Sequence, residues 1–194
     1  MLPAEIRTWL SQRGITDEVA DRAQLRWEGK LVIPIHGMQD EFRFNKYRRH
    51  PDDPALPKYW SDNGSHPELY GWRNIRTGIS PLVICEGELD RLSLESNGIA
   101  AVTSTHGAGS LRTEWLSRIP EDVDVYLCLD SDGAGLSAAA TAMANLSRAK
   151  LILLPVKDVG EFFGTGHSRD EFRTLMANAA SHMTVFTGAR KEGI

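Results

Sequence analysis

The sequence predicts an α/β protein, a mostly parallel sheet flanked by helices and preceded by a small α+β lobe. Three observations lead there. From Ser80 onward, short apolar runs alternate with helix-like segments, the pattern of βαβ units with right-handed crossovers. Two of these runs, PLVICEGELD (Pro81 to Asp90) and VYLCLDSDGAG (Val125 to Gly135), stop abruptly at carboxylates. The first 79 residues lack the alternation and centre on two neighbouring strand-like runs.

Taken in order, residues 3–12 and 16–25 read as short helices around Arg13-Gly14-Ile15, with Thr16 ahead of Asp17 and Glu18 as a helix start. Lys30 to His36 and Glu41 to Arg48 read as a hairpin, and Pro34 favours an edge position for its first strand. Pro51 to Gly71 is rich in Pro, Asp, Asn and Gly and reads as loop. The expected strands then run over 82–86, 100–104, 123–129 and 150–155, with helices near 89–96, 111–117, 136–146 and 169–180. Two units follow: 1–79, an α+β lobe with a basic hairpin, and 80–194, an α/β domain with a C-terminal helix.

Composition narrows the class. With 41% hydrophobic and 25% charged residues the chain is expected to be a soluble globule, and no apolar stretch reaches membrane-spanning length. The start lacks a signal-peptide pattern, so the expected location is cytoplasmic. Cys85 and Cys128 lie inside apolar strands, outside any C-x-x-C pair, and read as small buried hydrophobes rather than zinc ligands. The net charge of −4 argues against simple nucleic-acid coating, but its distribution is uneven. Residues 1–79 carry 12 Lys/Arg against 11 Asp/Glu, whereas residues 80–194 carry 10 against 15. Phe42 to His50 holds four basic side chains and no acid. Such a strip suits a polyanion held beside bound metal, and equally suits an edge strand guarded by charge.

The carboxylates carry the chemistry. In an open α/β sheet, ligands bind at the carboxyl ends of the strands. Glu86 ends its strand, and Asp90 follows in the first turn of a helix, turned back toward it. Asp130 and Asp132, two apart on extended chain, project to one side. Asp132 also qualifies as a plain helix N-cap. Gly133 and Gly135 leave room for a phosphate near the backbone. Asp158 lies after the last parallel strand, with Lys157 placed to meet a phosphate. Converging carboxylates repel one another unless a cation intervenes, and all-oxygen ligands favour a hard ion such as Mg²⁺.

These motifs resemble the TOPRIM domain, the catalytic fold of DnaG-type bacterial primases, phage primase-helicases, topoisomerases and some nucleases. The match runs over roughly residues 80–165. CEGELD resembles the family's Glu motif at Glu86 and Asp90, LDSDGAG its D-x-D motif at Asp130 and Asp132, and LPVKD a segment placing a further acid at Asp158. Upstream, KLVIPIHGMQDEFRFNKYRR, LPKYWSDNGS and ELYGW are similar to the β-rich lobe that precedes TOPRIM in primases, and STHGAGS resembles a phage primase-helicase turn at His106 and Gly107. No helicase P-loop and no zinc module occurs in these 194 residues, which leaves a compact core of phage or plasmid type.

The resemblance implies Mg²⁺ or Mn²⁺ and DNA primase-type synthesis of short RNA primers in replication. Single-stranded DNA template and nucleoside triphosphates are the implied substrates, with a replicative helicase as partner and no membrane. The implied catalytic residues are Glu86, Asp90, Asp130 and Asp132, and the implied metal ligands Glu86, Asp130, Asp132 and Asp158. Arg43, Lys46, Arg48, Arg49, Lys58 and Lys157 are expected to grip triphosphate or template, with Tyr47, Tyr59 and Trp60 stacking on bases or packing the lobe. Glu86 as ligand and Glu86 as proton acceptor both stay open. So do a TOPRIM nuclease and a non-catalytic nucleic-acid or helicase-docking module.

Overall fold

The computed structural model describes residues 1–130, 139 and 141–181. Helices α1 (Ala4–Ser11) and α2 (Asp17–Arg22) lead into a four-stranded antiparallel sheet of β1 (Arg26–Trp27), β2 (Leu31–His36), β3 (Phe42–Arg48) and β4 (Tyr59–Ser61), in that spatial order. Thr16 caps α2 as expected, its hydroxyl accepting from the Val19 N–H.

Pro34 does not mark an edge strand. β2 lies between β1 and β3, but β1 is two residues long and pairs only with Leu31 and Val32. Pro34 therefore sits beyond the reach of β1, where no ladder partner needs its missing N–H. The Pro- and Asp-rich stretch expected as loop contains β4 and also β5 (Leu69–Tyr70). Strands of two or three residues carry no readable alternation.

A second sheet has the order β10-β9-β8-β6-β7-β5. Its strands are β5, β6 (Leu82–Cys85), β7 (Ala100–Ser104), β8 (Val125–Cys128), β9 (Lys150–Leu151) and β10 (Ala180–Ser181). β7, β6, β8 and β9 are mutually parallel, and the outer strands β5 and β10 pair antiparallel. β5 and α3 (Trp72–Arg76) precede residue 80 yet belong with this sheet and its core.

β6 is central and every residue of it is fully buried, as a parallel strand covered on both faces must be. Its alternation feeds two cores. Leu82 and Ile84 pack with Trp72 of α3, with Trp115 of α5 (Thr113–Leu116) and with Met143, which lies in the helical residues 141–145. Val83 and Cys85 pack with Leu94 of α4 (Glu88–Ser96), Phe162 of α6 (Val159–Gly164) and Phe172 of α7 (Arg169–Ala177). Cys85 and Cys128 are free and buried in this second core, and burial pushes both thiols up.

A third core joins the lobes. Ile6, Leu10, Leu31, Ile33 and Phe44 from the N-terminal part pack with Leu89 and Leu92 of α4. The turn between α1 and α2 also presses on α6. A methyl group on Gly164 would lie 2.2 Å from the Gln12 carbonyl oxygen, and one on Gly14 would lie 2.5 Å from Phe163 Cβ. Glycine at both places is what lets the chain segments meet.

Candidate active site

The parallel register sets Cys85 beside Cys128, so β6 and β8 end side by side and their acidic tails emerge together. Glu86 Oε2 accepts from the Asp130 backbone N–H at 3.1 Å, which ties the two tails. Gly87 then turns the chain into α4. Asp90, in the first turn, lies back over Gly87, its Oδ2 2.8 Å from where a Cβ on Gly87 would be.

Asp90 is largely buried. Its Oδ1 accepts from the Gly160 N–H at 3.2 Å and from Arg13 Nη2 at 3.4 Å. The same Arg13 nitrogen reaches Asp158 Oδ1 at 3.5 Å, and that oxygen also caps α6 by accepting from the Glu161 N–H at 2.7 Å. Burial pushes the Asp90 carboxyl up to about 7, against the pull of Arg13 and with the charges of Asp158 and Asp130 adding to it. Asp90 thus feels both Asp130 and Asp158, and Glu86 is bonded to the Asp130 backbone. Asp132, with Gly133 and Gly135, lies outside the described residues. Among the described residues no three acidic, His or Cys groups are close enough together to hold a metal ion.

Arg13 carried no sequence signal. It sits in a turn that reads as a connector, and only the packing of that turn on α6 brings its guanidinium between two carboxylates from α4 and the start of α6. Its Nε is buried and has no hydrogen-bond partner among the described residues.

The inner face of the N-terminal sheet looks toward this edge. Arg48 is buried (5% exposed), its guanidinium 4.1 Å from the Trp9 ring centroid, and its Nε donates to Tyr59 Oη at 3.0 Å. Burial lowers the Arg48 pKa, and Arg13 nearby lowers it further. Burial also raises the Tyr59 phenol to about 12. Lys58 is lowered first by burial and then by the like charges of Arg48, Arg13 and Lys157, with Asp158 opposing. Lys58 thus feels Arg48, Arg13, Lys157 and Asp158 at once, and of these cations Arg13 bonds Asp158 directly.

Two expected cations are engaged with carboxylates. Lys46 Nζ donates to Glu88 Oε1 at 2.6 Å and to the Thr105 carbonyl at 2.5 Å. Arg43, half-exposed, pairs with Glu41 at 2.7 Å and Glu68 at 3.4 Å. The aromatics divide by face. Tyr59 lies with Arg48 and Lys46, whereas Tyr47 and Trp60 stack on each other at 5.5 Å on the other face, with Lys30 over Tyr47 and Arg49 over Trp60.

An all-oxygen acidic set beside converging guanidinium and ammonium groups fits a hard divalent cation together with a phosphate-bearing substrate. Asp90 and Asp158 share Arg13, and Glu86 is bonded to the Asp130 backbone.

Comparison with known proteins concerns the fold that carries this site. Residues 83–163 match the family described as Toprim-like. A curated DNA primase of Thermotoga maritima is 25% identical over 166 residues, which is 79% of this chain and 29% of that protein. The chain thus spans less than a third of that relative's length. Among solved structures, the zinc-binding and RNA polymerase domains of the Aquifex aeolicus primase superpose with a TM-score of 0.79 at 21% identity, covering 98% of this chain and 60% of that one. A DnaG primase catalytic domain bound to single-stranded DNA gives 0.79 at 19% identity over 98% and 76%. The primase fragment of the bacteriophage T7 primase-helicase gives 0.68 at 22% identity over 84% and 72%. At these identities the likeness is one of fold.

Proposed function

Starting from a chain that is Toprim-like over residues 83–163 and folded like a primase catalytic core, we propose a metal-dependent nucleotidyltransferase that makes short RNA primers on single-stranded DNA. The observation that carries the reading is the meeting of two opposite surfaces. Carboxylates emerge from adjacent parallel strands, and beside them lie cations from separate segments: buried Arg48 of β3, Arg13 of the α1–α2 turn and the exposed Lys58 and Lys157.

In this reading Mg²⁺ or Mn²⁺ would be held by Glu86, Asp130 and Asp132 together with Asp158, which would have to exchange Arg13 for the ion, because Glu86, Asp130 and Asp158 alone are not close enough to hold it. That ion, when bound, neutralises charge on the transferring phosphoryl group and lowers the pKa of the attacking hydroxyl. Arg48, Lys58 and Lys157 bind and orient the triphosphate. Arg43 and Lys46 border the same cleft and hold its walls through Glu41, Glu68 and Glu88. Arg13 bridges Asp90 and Asp158 and offsets their mutual repulsion. The Asp90 carboxyl, raised to about 7, exchanges a proton near neutral pH and suits proton transfer better than permanent charge. A replicative helicase as partner, and the cytoplasm as the place of work, belong to the same reading.

The test is to incubate the chain with single-stranded DNA, ribonucleotides and Mg²⁺ and to look for short oligonucleotide products. We expect products that vanish with Asp130→Asn plus Asp132→Asn. Cleavage of labelled nucleic acid with metal and no nucleotides would point instead to a nuclease. Nucleic-acid binding that survives the double variant, with no turnover in the parent chain, would point to a docking module.

A further inference from the structure

Away from the acidic edge, at the amino ends of the parallel strands, two adjoining hollows of about 470 and 580 Å³ share Arg22, Asn74, Ile79 and Glu95. Together they make one groove. It starts by the β2–β3 turn, passes between α2 and α3, and ends against α7.

The groove has a basic rim. Arg22 and Arg73 stand on one stretch, Arg169 and Arg173 on the other. Counting Arg91, five arginines line it against two carboxylates, Asp40 and Glu95. Glu95 is already taken by Arg91 at 2.6 Å and by Asn74 at 3.0 Å. Arg73 and Arg169 make no ion pair among the described residues. Arg22 and Arg173 pair only with acids of their own helices, at 3.4 and 3.7 Å on exposed side chains. Such pairs hold these cations weakly. In a chain of net charge −4, this is a local cationic field.

Its floor is aliphatic. Ile79 sits where the two hollows meet and is 45% exposed. Of the five large hydrophobic side chains exposed among the described residues, it alone lines this groove. Pro81, Ile99 and Met176 continue the floor. Bases stack on aromatic platforms, and the aromatic rings lining this groove are buried or half-buried. Tyr70 and Trp72 are buried, and Lys150 lies 5.5 Å over the Tyr126 ring.

We propose that this groove docks an acidic peptide segment of a partner protein, with an aliphatic side chain seated on Ile79 and carboxylates on the arginine rim. An apolar anchor ringed by charge-assisted contacts is how small peptide interfaces gain both affinity and register. The groove lies at the opposite strand ends from the acidic edge, so such a partner leaves that edge open.

The probe is a fluorescein-labelled octapeptide of glutamates around a central Leu-Leu pair, titrated with the full chain and read by anisotropy. We expect a dissociation constant on the order of 100 μM at low salt. Arg169→Glu plus Arg173→Glu, and separately Ile79→Glu, should each weaken it about tenfold. Leu153→Ser, at an exposed apolar side chain outside the groove, should leave it unchanged. Circular dichroism of each variant checks that the fold is kept. The proposal is overturned if the Leu-Leu peptide does not bind, or binds the groove variants as well as the parent. It is equally overturned if an all-glutamate octapeptide binds as tightly, or if oligothymidylate displaces the peptide and is itself lost with the same variants.

Discussion

Lys46 carries its ammonium from β3 into a pocket where Glu88 is 3% exposed and Lys46 itself 12%. Burial pushes the Glu88 carboxyl up and Lys46 pulls it down. Removing one partner strands the other's charge, so Lys46→Met is expected to lower stability by about 3 kcal/mol in urea unfolding. Lys46→Met combined with Glu88→Leu should recover part of that loss. Asp90 sets a pH dependence. Its folded carboxyl is raised to about 7 from an ordinary 3.8, so between those values the folded state holds a proton that the unfolded chain releases. Stability therefore falls as pH rises through that window and levels above it. Asp90→Asn should flatten this part of the curve of urea midpoint against pH. Lys46 and Asp90 were visible in the sequence as a basic strip and an acidic motif. Their pairing with Glu88, Thr105, Arg13 and Gly160 was not, because each pairing joins segments at least 42 residues apart.

At the scale of elements, caps and close approaches decide the boundaries. Ser168 and Glu171 form a reciprocal capping box at the start of α7. Ser168→Ala should cost about 1 kcal/mol, read as a shift in urea midpoint at constant slope. Gly14 and Gly29 both have left-handed backbone, φ +73° and +67°, but a methyl group on Gly29 meets nothing within 4 Å. Gly14→Ala should therefore lower the melting temperature more than Gly29→Ala, the difference measuring the contact of the α1–α2 turn with α6. The long strands β2, β3, β6 and β7 and helices α1, α4 and α7 were legible from apolar periodicity. α6 was not: VKDVGEFFG reads as a mixed-charge turn, and its helix is secured by Phe162 and Phe163 entering a core built from distant strands.

Across the whole molecule, two sheets share a core through α4. Leu89 and Leu92 face the N-terminal lobe, whereas Leu94 faces the parallel sheet. Residues 80–194 expressed alone would expose that first face and lose Arg13 from between Asp90 and Asp158. We expect this fragment to bind a hydrophobic dye and to lack a cooperative thermal transition, while the full chain unfolds in one step.

What the sequence determined by itself was local and periodic. Alternating apolar runs specified the parallel strands, and their acidic ends marked the edge where chemistry is expected, because both signals repeat over few residues. Which cation stands between which carboxylates, and which basic residues reach the edge, were decided only by the tertiary structure. Side-chain partners depend on the angle at which distant segments pack, and that angle follows from a shared core no single stretch of sequence contains.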